Sequence, residues 1–146
     1  MAVAEAFKEE KILDNVNARY MSYSAFFHSA NASLFRSQEL FAALQSLRND
    51  PAVGSNIVDV RGTGLMVGVE FASPSYPLGD PVLKPSAPKG LASRVARRCM
   101  DKGLLILTTS IYEVVRFIPP LNISRADLEK GCEIFAAAVK DVIREG

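Results

Sequence analysis

Five prolines, Pro74, Pro77, Pro81, Pro85 and Pro88, fall between Ala72 and Pro88, with Gly79 and Asp80 among them. Proline fixes φ and lacks a backbone donor, so neither a helix nor a central strand persists through this stretch. The 72–88 segment is therefore expected to be a long surface loop. A loop of that length inside a compact domain is commonly functional or lies against another surface, and a neighbouring domain would supply such a surface.

The flanking segments are periodic. Leu40, Phe41, Leu44 and Leu47 carry helical spacing, and Asn49-Asp50-Pro51 ends that helix. Ile57–Val60 and Leu65–Phe71 read as strands around Arg61-Gly62-Thr63-Gly64, with Leu65, Val67, Val69 and Phe71 alternating onto one face. After the prolines, Leu91, Val95 and Cys99 mark a helix within Lys89–Gly103, which Gly103 stops. Leu104–Thr109 and Val114–Ile118 read as a second pair of strands, closed by Pro119-Pro120. Ser124 is placed to cap a last helix, with Asp127 in its first turn and Leu128, Cys132, Phe135, Val139 and Val142 along one side. This order predicts an α+β fold: a small antiparallel or mixed sheet with helices covering one face.

Length and composition narrow the function. A chain of 146 residues, 49% hydrophobic and 23% charged, suits one globular domain. Seventeen basic against sixteen acidic residues leave a net charge of +1, with no basic stripe to attract nucleic acid. The apolar runs at Leu104–Leu107 and Ala136–Val139 fall far short of the roughly 20 residues that cross a bilayer. Two cysteines far apart, Cys99 and Cys132, form neither a disulfide framework nor a metal cluster, and a reducing intracellular compartment, cytoplasmic or mitochondrial, is expected. His28 is the sole histidine, so no histidine-based metal site or relay is expected. Met1 leads directly into the helix-forming run Ala2–Phe7, which reads as the interior of a longer protein.

Two segments together resemble a known family. Val60-Arg61-Gly62-Thr63-Gly64-Leu65-Met66-Val67-Gly68-Val69-Glu70-Phe71 and Val115-Arg116-Phe117-Ile118-Pro119-Pro120-Leu121-Asn122-Ile123-Ser124, in that order and separated by the 89–103 helix, resemble class III aminotransferases, the group of 4-aminobutyrate and ornithine aminotransferases. The resemblance implies the C-terminal small domain of a fold-type I enzyme dependent on pyridoxal 5'-phosphate. Such an enzyme is usually a homodimer that moves an amino group between an amino acid and a 2-oxo acid. It further implies that the cofactor lysine, the partner of the ring nitrogen and the phosphate-binding groups lie in a large domain upstream of Met1. Lys8, Lys11, Lys84, Lys89, Lys102, Lys130 and Lys140 are all the lysines present, and none stands in a context like that of the cofactor lysine. On this reading the chain binds no cofactor by itself and is inactive alone. A non-catalytic interaction module, or part of a related decarboxylase or aminomutase, is the alternative.

Arg116 is the candidate binding residue. The resemblance places it where many members hold a substrate carboxylate. Strand alternation puts it beside Val114 and Ile118, a poor place for an unpaired charge. A guanidinium fork can take a carboxylate through two parallel hydrogen bonds. The glycines of Arg61-Gly62-Thr63-Gly64 do not make a dinucleotide fingerprint, because Val67 replaces the third glycine and a strand follows where a helix is needed.

The 20–36 stretch is aromatic, serine-rich and almost uncharged, with no counterpart in the resemblance. Joining Arg19 directly to Ser37 restores a continuous helix, so the stretch reads as a retained intron or as a genuine insertion at an exposed site.

Overall fold

The computed structural model describes residues 36–74, 87–109 and 112–146. The first helix, α1 (Arg36–Arg48), buries Leu40, Leu44 and Leu47. Asp50 ends it with a compact turn, accepting the Val53 and Gly54 amides through its carbonyl and the Ala52 amide through Oδ1. A single 3₁₀ turn (Gly54–Asn56) leads into β1 (Ile57–Thr63) and β2 (Met66–Phe71), an antiparallel hairpin. Helix α2 (Leu91–Asp101) ends at Gly103, whose φ of 87° suits glycine alone among common residues. Strand β3 (Leu107–Thr108) pairs with β4 (Val114–Phe117), and α3 (Arg125–Glu145) closes the chain. Ser124 caps α3 by accepting the Asp127 amide at 3.0 Å, as the sequence predicted.

The sheet has the order β1-β2-β4-β3 with every pair antiparallel. This is the α+β arrangement expected from the sequence. Val60, Val67, Val69, Val115 and Phe117 are buried together with apolar positions of all three helices in one core. The opposite face carries Arg61, Thr63, Met66 and Arg116, all exposed. One face is therefore covered, and the other is open at these positions, with Glu70 and Val114 at its far end buried.

Local details differ from the sequence expectation. Strand β1 continues through Arg61-Gly62-Thr63, so the connection shrinks to Gly64-Leu65, where Gly64 at φ 58° accepts the left-handed conformation of a tight hairpin. A bulge between Ile57 and Asp59 shifts the phase of β1 and lets Ile57 and Val60, three residues apart, both face the core. Strand β3 is two residues, not six, because Leu104 is still held to the helix by its amide bond to the Cys99 carbonyl. Leu105 beyond it is exposed. Of the proline-rich segment, Ala72 and Ser73 are buried, and residues 75–86 lie outside the described residues. The 20–36 stretch likewise lies outside them except for Arg36, the first residue of α1.

Helices α2 and α3 are clamped by ion pairs: Arg98 reaches Glu145 at 2.8 Å and Lys102 reaches Asp141 at 3.0 Å. Lys140 meets Asp50 at 2.8 Å and ties α3 to the end of α1. These pairs are exposed enough to add little each. The larger contribution is apolar, and Phe135 stands at its centre, fully buried and edge-on to Phe117 at 4.9 Å between ring centroids. Replacing Phe135 with Ala removes that contact and leaves a cavity, a loss of about 3–5 kcal/mol in a fully packed core. Urea unfolding should show the drop in midpoint, and a change below about 1 kcal/mol would mean that the sheet and α3 are not packed as described.

Candidate functional site

The open face of the sheet is built by register. Gly68 in β2 lies directly across from Arg61 in β1 and from Arg116 in β4, and Arg116 in turn lies across from Leu107 in β3. One row thus runs Arg61, Gly68, Arg116, Leu107, with two guanidinium groups flanking a position that has no side chain. A Cβ added at Gly68 would meet Val114 Cγ1 at 3.4 Å, close to ordinary van der Waals contact, so the glycine keeps the row low without being sterically required. Met66 and Ile118, about half exposed, add apolar surface to the same side.

The two arginines differ in their electrostatics. Arg61 bonds Glu70 through Nη1 and reaches Asp59 Oδ2 at 3.1 Å. Glu70 is buried, and its hydrogen bond, ahead of the second bond from Asp59, raises the Arg61 pKa further above its already high ordinary value. Arg61 is held and neutralised. Arg116 is exposed, and among the described residues its side chain makes no hydrogen bond or ion pair. Arg116 shares a face with Val114 and Ile118 as the sequence argument expected; Val114 is buried and Ile118 half exposed, while Arg116 itself is exposed.

A second concavity lies elsewhere. A cleft of about 240 Å³ between α1 and α3 is lined by Glu39, Ala43, Leu128, Glu129, Cys132 and Glu133. Its three carboxylates disfavour an anionic ligand, and Arg125 already pairs with Glu39 and Glu129. Burial, reinforced by Glu129 and Glu133, pushes the Cys132 thiol up to about 11, and burial pushes the Cys99 thiol up to about 11 as well. Neither is poised as a nucleophile.

The described residues do not fit a cradle for pyridoxal phosphate. Lys89, Lys102, Lys130 and Lys140 are all exposed, and Lys102 and Lys140 are engaged with Asp141 and Asp50. Lys8, Lys11, Lys84 and His28 lie outside the described residues. Among the described residues no group of His, Cys, Asp or Glu is arranged to hold a metal, and no helix is long and apolar enough to cross a membrane.

Sequence reasoning singled out Arg116 as a candidate without its setting. The Arg61, Asp59 and Glu70 cluster follows from the hairpin register, which a turn fixed at Gly64-Leu65 would have supplied. Glu113, whose carboxylate binds the start of α2, lies too far along the chain for any local signal.

Comparison with known proteins supports the same fold. Residues 29–139 match the aminotransferase class-III family, a match that begins inside the 20–36 stretch. The 5-aminovalerate aminotransferase of Pseudomonas aeruginosa is 34% identical over 138 residues, covering 93% of this chain and 26% of that protein. The mitochondrial acetylornithine aminotransferase of Alnus glutinosa is 32% identical over 102 residues, covering 70% of this chain and 19% of that protein. A transaminase from the marine bacterium Virgibacillus superposes with a TM-score of 0.68 at 18% identity, over 97% of this chain and 27% of its own. The chain belongs to the class-III aminotransferases, and it spans about a quarter or less of the length of these curated relatives.

The two thiols give a check on the packing around this side of the molecule. With pKa values near 11, thiolate at pH 8 should be scarcer than in the unfolded chain by about two orders of magnitude. Alkylation by iodoacetamide should be slowed by a similar factor in buffer relative to urea. Equal rates in both would show that α2 and α3 do not bury these sulfurs.

Proposed function

We propose that this chain is the C-terminal part of a pyridoxal-phosphate-dependent transaminase, and that Arg116 holds a carboxylate of the amino-acid or 2-oxo-acid substrate. The observation that carries the reading is the contrast across Gly68: Arg61 is saturated by Glu70 and Asp59, whereas Arg116 is exposed without a carboxylate among the described residues. An uncommitted guanidinium on an otherwise partly apolar face is a carboxylate receptor whose strength rises when a second surface removes the water. The names of the relatives fit, since 5-aminovalerate, 4-aminobutyrate and acetylornithine all carry a carboxylate.

The rest of the enzyme supplies the cofactor, whose ring withdraws the electrons left when a proton leaves the substrate carbon. This chain supplies orientation. A forked, two-bond grip on the carboxylate fixes the substrate's long axis, and the apolar Met66, Leu107 and Ile118 around it exclude water once covered. The covering surface is the missing large domain, in an intracellular homodimer, and the chain is inactive without it. The amino donor belongs to the 4-aminobutyrate and ornithine class.

In the full-length enzyme, Arg116→Ala should reduce kcat/KM for carboxylate-bearing donors by a factor equivalent to roughly 2–5 kcal/mol, the cost of breaking a desolvated charge pair. Arg116→Lys keeps the charge, loses the fork and should fall between. Simple amines without a carboxylate are the control and should react unchanged. Equal slowing of both substrate types, or no slowing of either, would replace the clamp with a purely structural arginine.

A further inference from the structure

Helix α2 begins without a cap from its own neighbourhood. Its N-cap is Gly90, left-handed at φ 67° and with no side chain to accept the first-turn amides, which have no partners within the helix. Glu113 supplies the acceptor from more than twenty residues away. Its Oε1 accepts the Gly90 amide at 3.1 Å and its Oε2 accepts the Ala92 amide at 2.8 Å, so both carboxylate oxygens are used. The negative charge also sits at the end of the helix that favours it. The backbone carbonyl of the same residue accepts the Phe71 amide at 2.7 Å. Glu113 therefore joins the end of β2, the start of α2 and the start of β4.

That junction matters because β4 is short. It pairs with β2 over Val67↔Phe117, Gly68↔Arg116, Val69↔Val115 and Glu70↔Val114, and with β3 over only two residues. A slip of one residue would turn Arg116 toward the helices and Val115 or Phe117 toward solvent. The apolar core resists such a slip from one side, and the Glu113 junction resists it from the residue just before the strand.

We propose that Glu113 is a positioning residue: its two-amide grip on α2 holds β4 in the register that keeps Arg116 opposite Gly68 on the open face. The purpose assigned to it rests on the carboxylate-clamp reading of Arg116. Gln at this position keeps the shape and one acceptor oxygen but turns an NH₂ group toward an amide, leaving one donor unsatisfied. Asp keeps the charge but draws it back by one methylene.

The test uses the 146-residue chain with glutarate as the probe, followed by NMR on the backbone amides and the Arg116 Nε–Hε signal. In Glu113→Gln, exchange of the Val115 and Arg116 amides should accelerate at least about tenfold while the Phe135 amide keeps its rate, the signature of local rather than global opening. Val142→Ala, a truncation of a buried α3 residue, should accelerate all three together. Glutarate should shift the Arg116 signal saturably in the parent chain, about fivefold more weakly in Glu113→Gln, with Glu113→Asp between them. Exchange in Glu113→Gln that follows the Val142→Ala pattern, or a glutarate affinity equal to the parent's, would overturn the positioning role and leave the clamp standing. No glutarate response at Arg116 in either the parent chain or the full-length enzyme, where the large domain covers the site, would overturn the clamp itself, and with it the purpose given to Glu113.

Discussion

The antiparallel pairing of β2 with β4 joins strands whose partners, Val67 with Phe117 and Val69 with Val115, lie close to fifty residues apart in the chain. Loop closure over that distance is costly, and four residue pairs alone would not repay it. The return comes from what the pairing assembles: Val67, Val69, Val115 and Phe117 become one apolar surface, and Phe135 of α3 packs edge-on against it. All other packing follows from this surface. Helix α2 bridges the two strands in sequence, α1 leans on β1 and α3, and the short β3 adds an edge to β4.

The same pairing decides where charge can stand. Because side chains alternate, fixing Val115 and Phe117 inward places Arg116 outward, opposite Gly68. The hairpin register then sets Arg61 on the other side of that glycine, with Glu70 and Asp59 two positions along on the same face to neutralise it. A single row across the sheet thus holds one satisfied cation and one uncommitted cation. The concavity between α1 and α3 has the opposite character, with three glutamates at its rim, and offers nothing to an anionic substrate. Burial first, and Glu129 and Glu133 after it, hold its Cys132 thiol protonated at neutral pH.

Much of this was readable from residue order. The alternation of Leu65, Val67, Val69 and Phe71, the spacing of Leu40, Leu44 and Leu47, the Gly103 stop and the Ser124 cap each identified an element because each is a local signal. The two motifs that carry the family resemblance bracket β1–β2 and β4, which is why Arg116 could be singled out. What escaped were consequences of register and of distance. The bulge that rephases β1 depends on its partner strand, the shortening of β3 depends on Leu104 staying with α2, and the Glu113 cap reaches across more than twenty residues. Arg116 looked like a charge requiring burial because alternation cannot say whether a sheet's second face is covered.

On the reading proposed above, this chain carries the substrate-orienting side of a transaminase site and not the cofactor side. The direct measurement is a titration of the 146-residue chain with pyridoxal phosphate, followed by borohydride reduction and mass spectrometry to locate modified lysines. Labelling should be low, unsaturated and scattered over exposed lysines, with no stoichiometric Schiff-base absorbance. One saturating adduct at a single lysine would contradict it, because the chain would then hold a cofactor site of its own.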